Sequence, residues 1–241
     1  MTLIATHLEQ VRRRVQDVAL AVQRNPSSIT LMAVSKTFPV QDIEQAIAAG
    51  QMVFGENYVQ EGVEKIQILS ALHPKLEWHF IGPLQSNKTK DVAAHFDWVH
   101  SIDRLKIAER LSIQRGELAI PKKLQLCVQV NVSNEGSKSG IPLKEAETLC
   151  SAIAQLPHVS LRGLMAIPAP TSDLMIQGQA FEAVEDCFKQ IQAKYFKEVG
   201  FQEFNTLSMG MSDDMESAIA HGSTIVRVGT AIFGKRDKIS A

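Results

Sequence analysis

After residue 28 the sequence falls into a beat of short apolar runs separated by stretches with helical periodicity, and the beat sounds eight times. The runs are SITLMAVSK (28–36), QMVFGEN (51–57), EWHFIG (77–82), DWVHSID (97–103), LQLCVQVNV (124–132), SLRGLMAIPA (160–169), TLSMGM (206–211) and STIVRVGTAIFG (223–234). Most are continuously apolar rather than alternating, the mark of parallel strands covered on both faces. Helices are predicted over 42–50, 58–72, 86–95, 104–116, 142–156, 174–198 and 213–221. Gly50 and Gly116 stop two of them, Asp103 and Ser212 are candidate caps for two others, and Pro142 falls in a first turn. Asp213 and Asp214 complement the dipole of the last. Eight such units in 241 residues predict an α/β fold, a (β/α)8 TIM barrel. An open doubly wound sheet is the rival, but it ordinarily carries a glycine-rich turn after its first strand. Here that turn, SKTFPV (35–40), has no glycine. Residues 1–24 read as an extra N-terminal helix on a single domain spanning 1–241.

That first helix is amphipathic and carries Arg12, Arg13 and Arg14, but Glu9 and Asp17 are unusual for a transit peptide. No run of 18 apolar residues exists to span a membrane. With 25 Lys+Arg against 26 Asp+Glu, no basic field recruits nucleic acid or an anionic surface. At 45% apolar and 21% charged residues, wholesale disorder is excluded. Cys127, Cys150 and Cys187 make no disulfide framework or zinc motif and read as small buried hydrophobes, so a reducing, cytoplasmic setting is expected.

Barrels of this kind place reactive groups at the C-terminal ends of their strands. Ser35 and Lys36 end the first run, and Glu56 and Asn57 the second. An amine held against apolar walls loses solvation of its charged form, which frees its lone pair for attack on a carbonyl. Lys36, after LMAV, is either that amine or a strand-end lysine snorkelling to water. MGMSDD (209–214) opens a helix and VGT (228–230) supplies a close-approach glycine. Together they suit phosphate between the last two loops, or simply turn and cap chemistry. Arg227 lies in an apolar run and must face a polar site or be paired; the site is the favoured reading. Glu56 is a candidate general base, though capping of the next helix is the commoner outcome. His79 and His100 sit in strands without a second ligand at metal spacing, so core or rim roles are expected. The tail KRDK (235–238) reads as a solvated end.

LMAVSKTF (31–38), VFGENYVQE (53–61), WHFIGPLQSNK (78–88), GLMAIP (163–168), LSMGMSDDMESAIAHGST (207–224) and VRVGTAIFG (226–234) carry a resemblance through nearly the whole chain. The sequence resembles the pyridoxal phosphate homeostasis proteins (the YggS/PROSC family), which are similar in fold to the barrel domain of bacterial alanine racemases. The resemblance implies pyridoxal 5′-phosphate held as a Schiff base on Lys36, in a protein of vitamin B6 and amino-acid homeostasis that binds and delivers the cofactor to apoenzymes. It implies Ser212, Gly229 and Thr230 at the phosphate with Ser208 or Met209 nearby, Arg227 at the pyridine nitrogen, Asn57 beside the ring and Met165 on the pocket lining. Lys138 and Lys235 are candidates for a secondary cofactor contact.

The alternative is a racemase. An arginine only donates hydrogen bonds, so at the ring nitrogen it leaves the cofactor a weak electron sink and discourages most carbanion chemistry, although racemases tolerate such an arginine. Alanine racemases also draw a tyrosine from a second domain of a partner subunit, and the sequence ends at Ala241 without such a domain. Of the two tyrosines, Tyr195 falls in the long helix away from the mouth, and Tyr58 starts a helix with no matching family role. Val40 stands where those racemases carry a phosphate-binding tyrosine. A non-catalytic, monomeric cofactor-binding protein is therefore expected.

Overall fold

Apolar runs covered on both faces become strands, and the amphipathic stretches between them become the cover. The structure, a computed structural model, describes residues 2–133 and 139–235. Its strands are β1 (Thr30–Val34), β2 (Val53–Glu56), β3 (Glu77–Phe80), β4 (Trp98–Ile102), β5 (Leu124–Asn131), β6 (Ile141–Pro142), β7 (Val159–Ala166), β8 (Thr206–Ser208) and β9 (Ile225–Val228). The helices are α1 (Leu3–Ala21), α2 (Val40–Ala48), α3 (Val59–Leu69), α4 (Thr89–His95), α5 (Leu105–Glu117), α6 (Leu143–Ile153), α7 (Leu174–Tyr195), α8 (Met215–Ala220) and α9 (Thr230–Phe233). Every strand pairing is parallel. β4 pairs with β5 and β9 with β1, so eight strands close into the expected (β/α)8 barrel, with β6 a two-residue addition beside β5. Closure puts the first and last strands in register, Met32 opposite Arg227.

Successive strand residues face opposite ways. Trp78 and Phe80 on β3 join the shell between strands and helices, whereas His79 points inward and stacks on Trp98 at 5.1 Å. Trp98, Cys127 and Met165 form a separate small cluster inside the barrel. α1 buries Ile4, Leu8, Val11, Val15 and Ala19 against α2, α8 and α9, and so covers the seam where β1 meets β9. Each buried Leu, Ile or Val side chain there contributes roughly 1.5–3 kcal/mol. Among the described residues, no helix is long and apolar enough to cross a membrane.

The structure corrects several local expectations. The run 223–234 is not one strand: β9 ends at Val228, and Thr230–Phe233 turn into α9 around Gly229. An apolar run does not distinguish a buried strand from a buried helical turn. Asp103 does not cap α5, whose N-cap is Arg104 without a side-chain bond. Ser212 does not cap α8 either. The N-cap is Asp214, and its carboxylate accepts the Met211 N–H at 2.5 Å across the preceding turn. Pro142 stands at the N-cap of α6 rather than inside its first turn.

Candidate functional site

A cavity of about 440 Å³ opens at the C-terminal ends of the strands, within the range of small-ligand sites. It gathers Lys36, Asn57, Ser212, Arg227, Gly229 and Thr230, six of the residues expected there. Met165, Ser208 and Met209 do not line it: all three are buried, and Ser208 lies behind Arg227, accepting its hydrogen bond. Lys235 is exposed just beyond α9, and Lys138 lies outside the described residues. The sequence reading missed Arg14. It lines the cavity from α1, donating to the Ser212 carbonyl at 3.2 Å and to Glu216 at 3.0 Å. Its position as the last of a basic triplet gave no hint of this, because the packing of α1 against α8 and α9, which brings it to the cavity, is a tertiary feature. Val34, Ile81, Ile167 and Met211 supply apolar wall.

Lys36 follows the last residues of β1 in a turn closed by the Phe38 N–H on the Ser35 carbonyl at 3.1 Å. Thr37 holds a φ of +67°, a value for which a β-branched residue pays strain. Glu56 does not cap α3. Its buried carboxylate accepts from Lys65 Nζ at 2.8 Å and from the Ser35 hydroxyl at 2.6 Å. Burial pushes the Glu56 carboxyl above its ordinary range, and Lys65 pulls it back. Gly62 lets α3 lie this close, since a Cβ there would stand 3.2 Å from Glu56 Cβ.

Arg227 is 4% exposed. It is both of the things a strand arginine can be: it lines the cavity and it is fully held. Its Nη1 donates to the Ser208 carbonyl at 2.6 Å and hydroxyl at 2.8 Å, and its Nη2 to the Ala166 carbonyl at 2.9 Å. Burial lowers its guanidinium to about 10, opposed by Asp214, which leaves it charged at neutral pH. Behind it a file of contacts crosses the barrel: Ser208 Oγ to His100 Nδ1, His100 Nε2 to His79 Nδ1, and His79 Nε2 to Glu77, each 2.8 Å. Burial lowers the pKa of His79 and, more strongly, that of His100, which favours neutral rings. Arginine only donates and an ionised carboxylate only accepts, so with both imidazoles neutral the serine hydroxyl donates to His100, His100 to His79, and His79 to Glu77. Each ring nitrogen of the pair is taken up within the file, and no cluster of three or more metal-binding side chains occurs among the described residues.

Ser212, Gly229 and Thr230 line the same cavity. A Cβ on Gly229 would sit 3.1 Å from the Val34 carbonyl, so β1 and the β9–α9 turn meet here without room for a side chain. Asn57 is pinned in the same manner. A Cβ on Gly82 would fall 2.0 Å from its carbonyl oxygen, while its Oδ1 is buried without a partner. The Cys127 thiol, pushed up to about 12 by burial, is no nucleophile.

Comparison with known proteins bears on this site. Residues 6–237 match the family model of the alanine racemase N-terminal domain. The pyridoxal phosphate homeostasis proteins of Pasteurella multocida and Escherichia coli K12 are 54% and 53% identical, covering 97% and 98% of this chain and 98% of each relative. The structure of PipY from Synechococcus elongatus with pyridoxal phosphate bound superposes with a TM-score of 0.82 at 36% identity, covering 96% of this chain and all of that one. Alanine racemase from Corynebacterium glutamicum, at 16% identity and a TM-score of 0.64 over 99% of this chain and 63% of its own, shares the fold. By identity and by length matched, the chain belongs to the pyridoxal phosphate homeostasis protein family.

Proposed function

We propose that this chain binds pyridoxal 5′-phosphate in the cavity at the strand ends, as a Schiff base on Lys36. It serves vitamin B6 homeostasis by holding the cofactor and releasing it to apoenzymes, without strong catalysis. One observation carries the reading: an amine (Lys36), two guanidinium groups (Arg14, Arg227) and two hydroxyls (Ser212, Thr230) converge on one cavity. The relative solved with this cofactor supports it.

The residues fit the group. Three cationic side chains against one lining carboxylate, Asp213, suit a phosphate with a conjugated anionic ring. The unpartnered Asn57 Oδ1 offers a buried acceptor on the lining residue beside it. When bound, the cofactor supplies an aldehyde that condenses with an amine and a ring that withdraws electrons. Lys36 provides the amine. Ser212, Thr230 and the Gly229 backbone would hold the phosphate, with Arg14 balancing its charge. Arg227, fixed by three acceptors, has only donors to offer, and beside the ring nitrogen it would favour the unprotonated form and so a weaker electron sink. No tyrosine, histidine or cysteine lines the cavity among the described residues to serve a second face of a substrate. Tyr195 is engaged with Glu147 on the outer helices, and Tyr58 is 55% exposed at the start of α3.

The test is pyridoxal phosphate titration followed by borohydride and peptide mass mapping. A reduced adduct on Lys36, absent in Lys36→Ala, is expected. An adduct elsewhere, or none, overturns the reading. Racemisation of any amino acid at roughly 1 per second or faster overturns the non-catalytic part alone.

A further inference from the structure

Two backbone groups flanking Lys36, the Ser35 carbonyl and the Thr37 N–H, are held by one ion cluster. Lys65 Nζ lies 2.8 Å from the Ser35 carbonyl, 2.8 Å from Glu56 Oε1 and 2.6 Å from Glu61 Oε1. Glu61 Oε1 in turn accepts the Thr37 N–H at 2.6 Å. The residue before the lysine and the residue after it are therefore tied to the same ammonium group, directly and through one carboxylate. The turn needs holding. Its i+3 to i bond and the left-handed Thr37 place Thr37 at the third position of a type II pattern, which ordinarily takes glycine. Lys65 is 5% exposed and Glu56 fully buried. Strained backbone persists only where its surroundings over-determine it.

We infer that Lys65, Glu56 and Glu61 are positioning residues: they clamp the turn around Lys36 in a strained conformation and thereby aim its amine into the cavity. The clamp rests on the reading of Lys36 as the cofactor-bearing lysine. Glu61 is its accessible member and Thr37 its strained one, so the two can be played against each other. With Glu61 removed, the turn relaxes away from the left-handed Thr37 and the amine is misplaced. With glycine at 37, the same conformation costs no strain and needs no carboxylate.

The experiment uses the full chain, stripped of cofactor, as wild type, Glu61→Ala, Thr37→Gly and the double variant. Pyridoxal phosphate is added and the growth of the Schiff-base absorption is followed, with thermal unfolding measured alongside. Misplacement of a reacting group by a fraction of an ångström to an ångström costs up to roughly a hundredfold in rate. Glu61→Ala is expected to slow adduct formation about tenfold, Thr37→Gly to stay within about threefold of wild type, and the double variant to recover most of the loss. Lys65→Met, where it folds, is expected to slow it at least as much as Glu61→Ala. Wild-type rates in Glu61→Ala, whatever happens to its melting temperature, overturn the clamp; so does a double variant as slow as Glu61→Ala. Absence of an adduct in the wild type sinks the cofactor reading instead. Exchange of the Thr37 amide, followed by NMR without cofactor, then decides the clamp by itself: about tenfold faster exchange in Glu61→Ala is expected, and unchanged exchange overturns it.

Discussion

Two polar networks lie under the same cavity, and they are built on opposite principles. Beneath Lys36 the network is ionic: one lysine, two carboxylates and the backbone of a strained turn. Beneath Arg227 the network is a file of neutral side chains, with formal charge only at its ends. The ionic cluster grips main-chain atoms and so fixes where a chain segment runs. The neutral file grips one side chain and so fixes which way its donors point. A buried charge is strongly coupled to its partners and tolerates little loss, whereas a neutral file fails one hydrogen bond at a time.

Breaking the ionic side gives the largest effect. Lys65→Met leaves Glu56 buried without its counter-charge, a loss of about 3–5 kcal/mol in chemical denaturation. With its carboxyl pushed further up, Glu56 then takes a proton in the folded state, so the loss is smaller at acid pH and grows as pH rises through that value. A loss independent of pH would show that Glu56 is not carrying the charge. Glu56→Gln in the same chain is expected to return part of the stability.

Cutting the neutral file costs less. His100→Leu orphans the Ser208 hydroxyl and His79 Nδ1, each worth about 1–3 kcal/mol, and leaves the loss independent of added salt. Titration sharpens the contrast next. Buried imidazoles with lowered pKa values refuse protons that the unfolded chain accepts below its ordinary value of about 6.5. Wild-type stability is therefore complete above that pH and falls as pH drops below it, by about 1.4 kcal/mol per pH unit for each histidine. The charged groups that act on the pair are Glu77, Asp97, Lys122 and Arg227. In His100→Leu the slope from this pair is expected to halve; an undiminished slope would place the acid sensitivity elsewhere. The smallest effect is the control. Arg13→Ala removes an exposed pair with Glu9 on α1 and is expected to change stability by less than about 0.5 kcal/mol.

The barrel was legible in the sequence because continuous burial writes itself as continuous apolarity, seen most clearly in LQLCVQV. Six cavity residues were legible because strand ends converge once a barrel closes. Ser208, Met165 and Met209 fall beneath the floor because strand direction gives a residue's height in the barrel only to within a residue or two, and alternation decides the face. Lys65 was invisible: a lysine among glutamates on a helix reads as a solvated face, and only the approach of α3 at Gly62 buries it. The file from Glu77 to Arg227 was equally hidden, since its members come from four strands spread along the chain. The split of VRVGTAIFG at Gly229 needed the backbone itself, since a mostly apolar tetrad such as TAIF serves a strand or a helical turn alike.

Closure by β1 against β9 has a consequence in time as well as in space. The turn with Lys36 leaves the ribosome early, but Arg227, Gly229 and Thr230 come from the last strand and the turn after it. A nascent or truncated chain thus carries an amine without its binding site, and the site exists only when the final strand has docked beside the first. Any ligand that needs both walls binds the closed barrel alone and stabilises it by mass action, so its capture marks the docking of β9 beside β1.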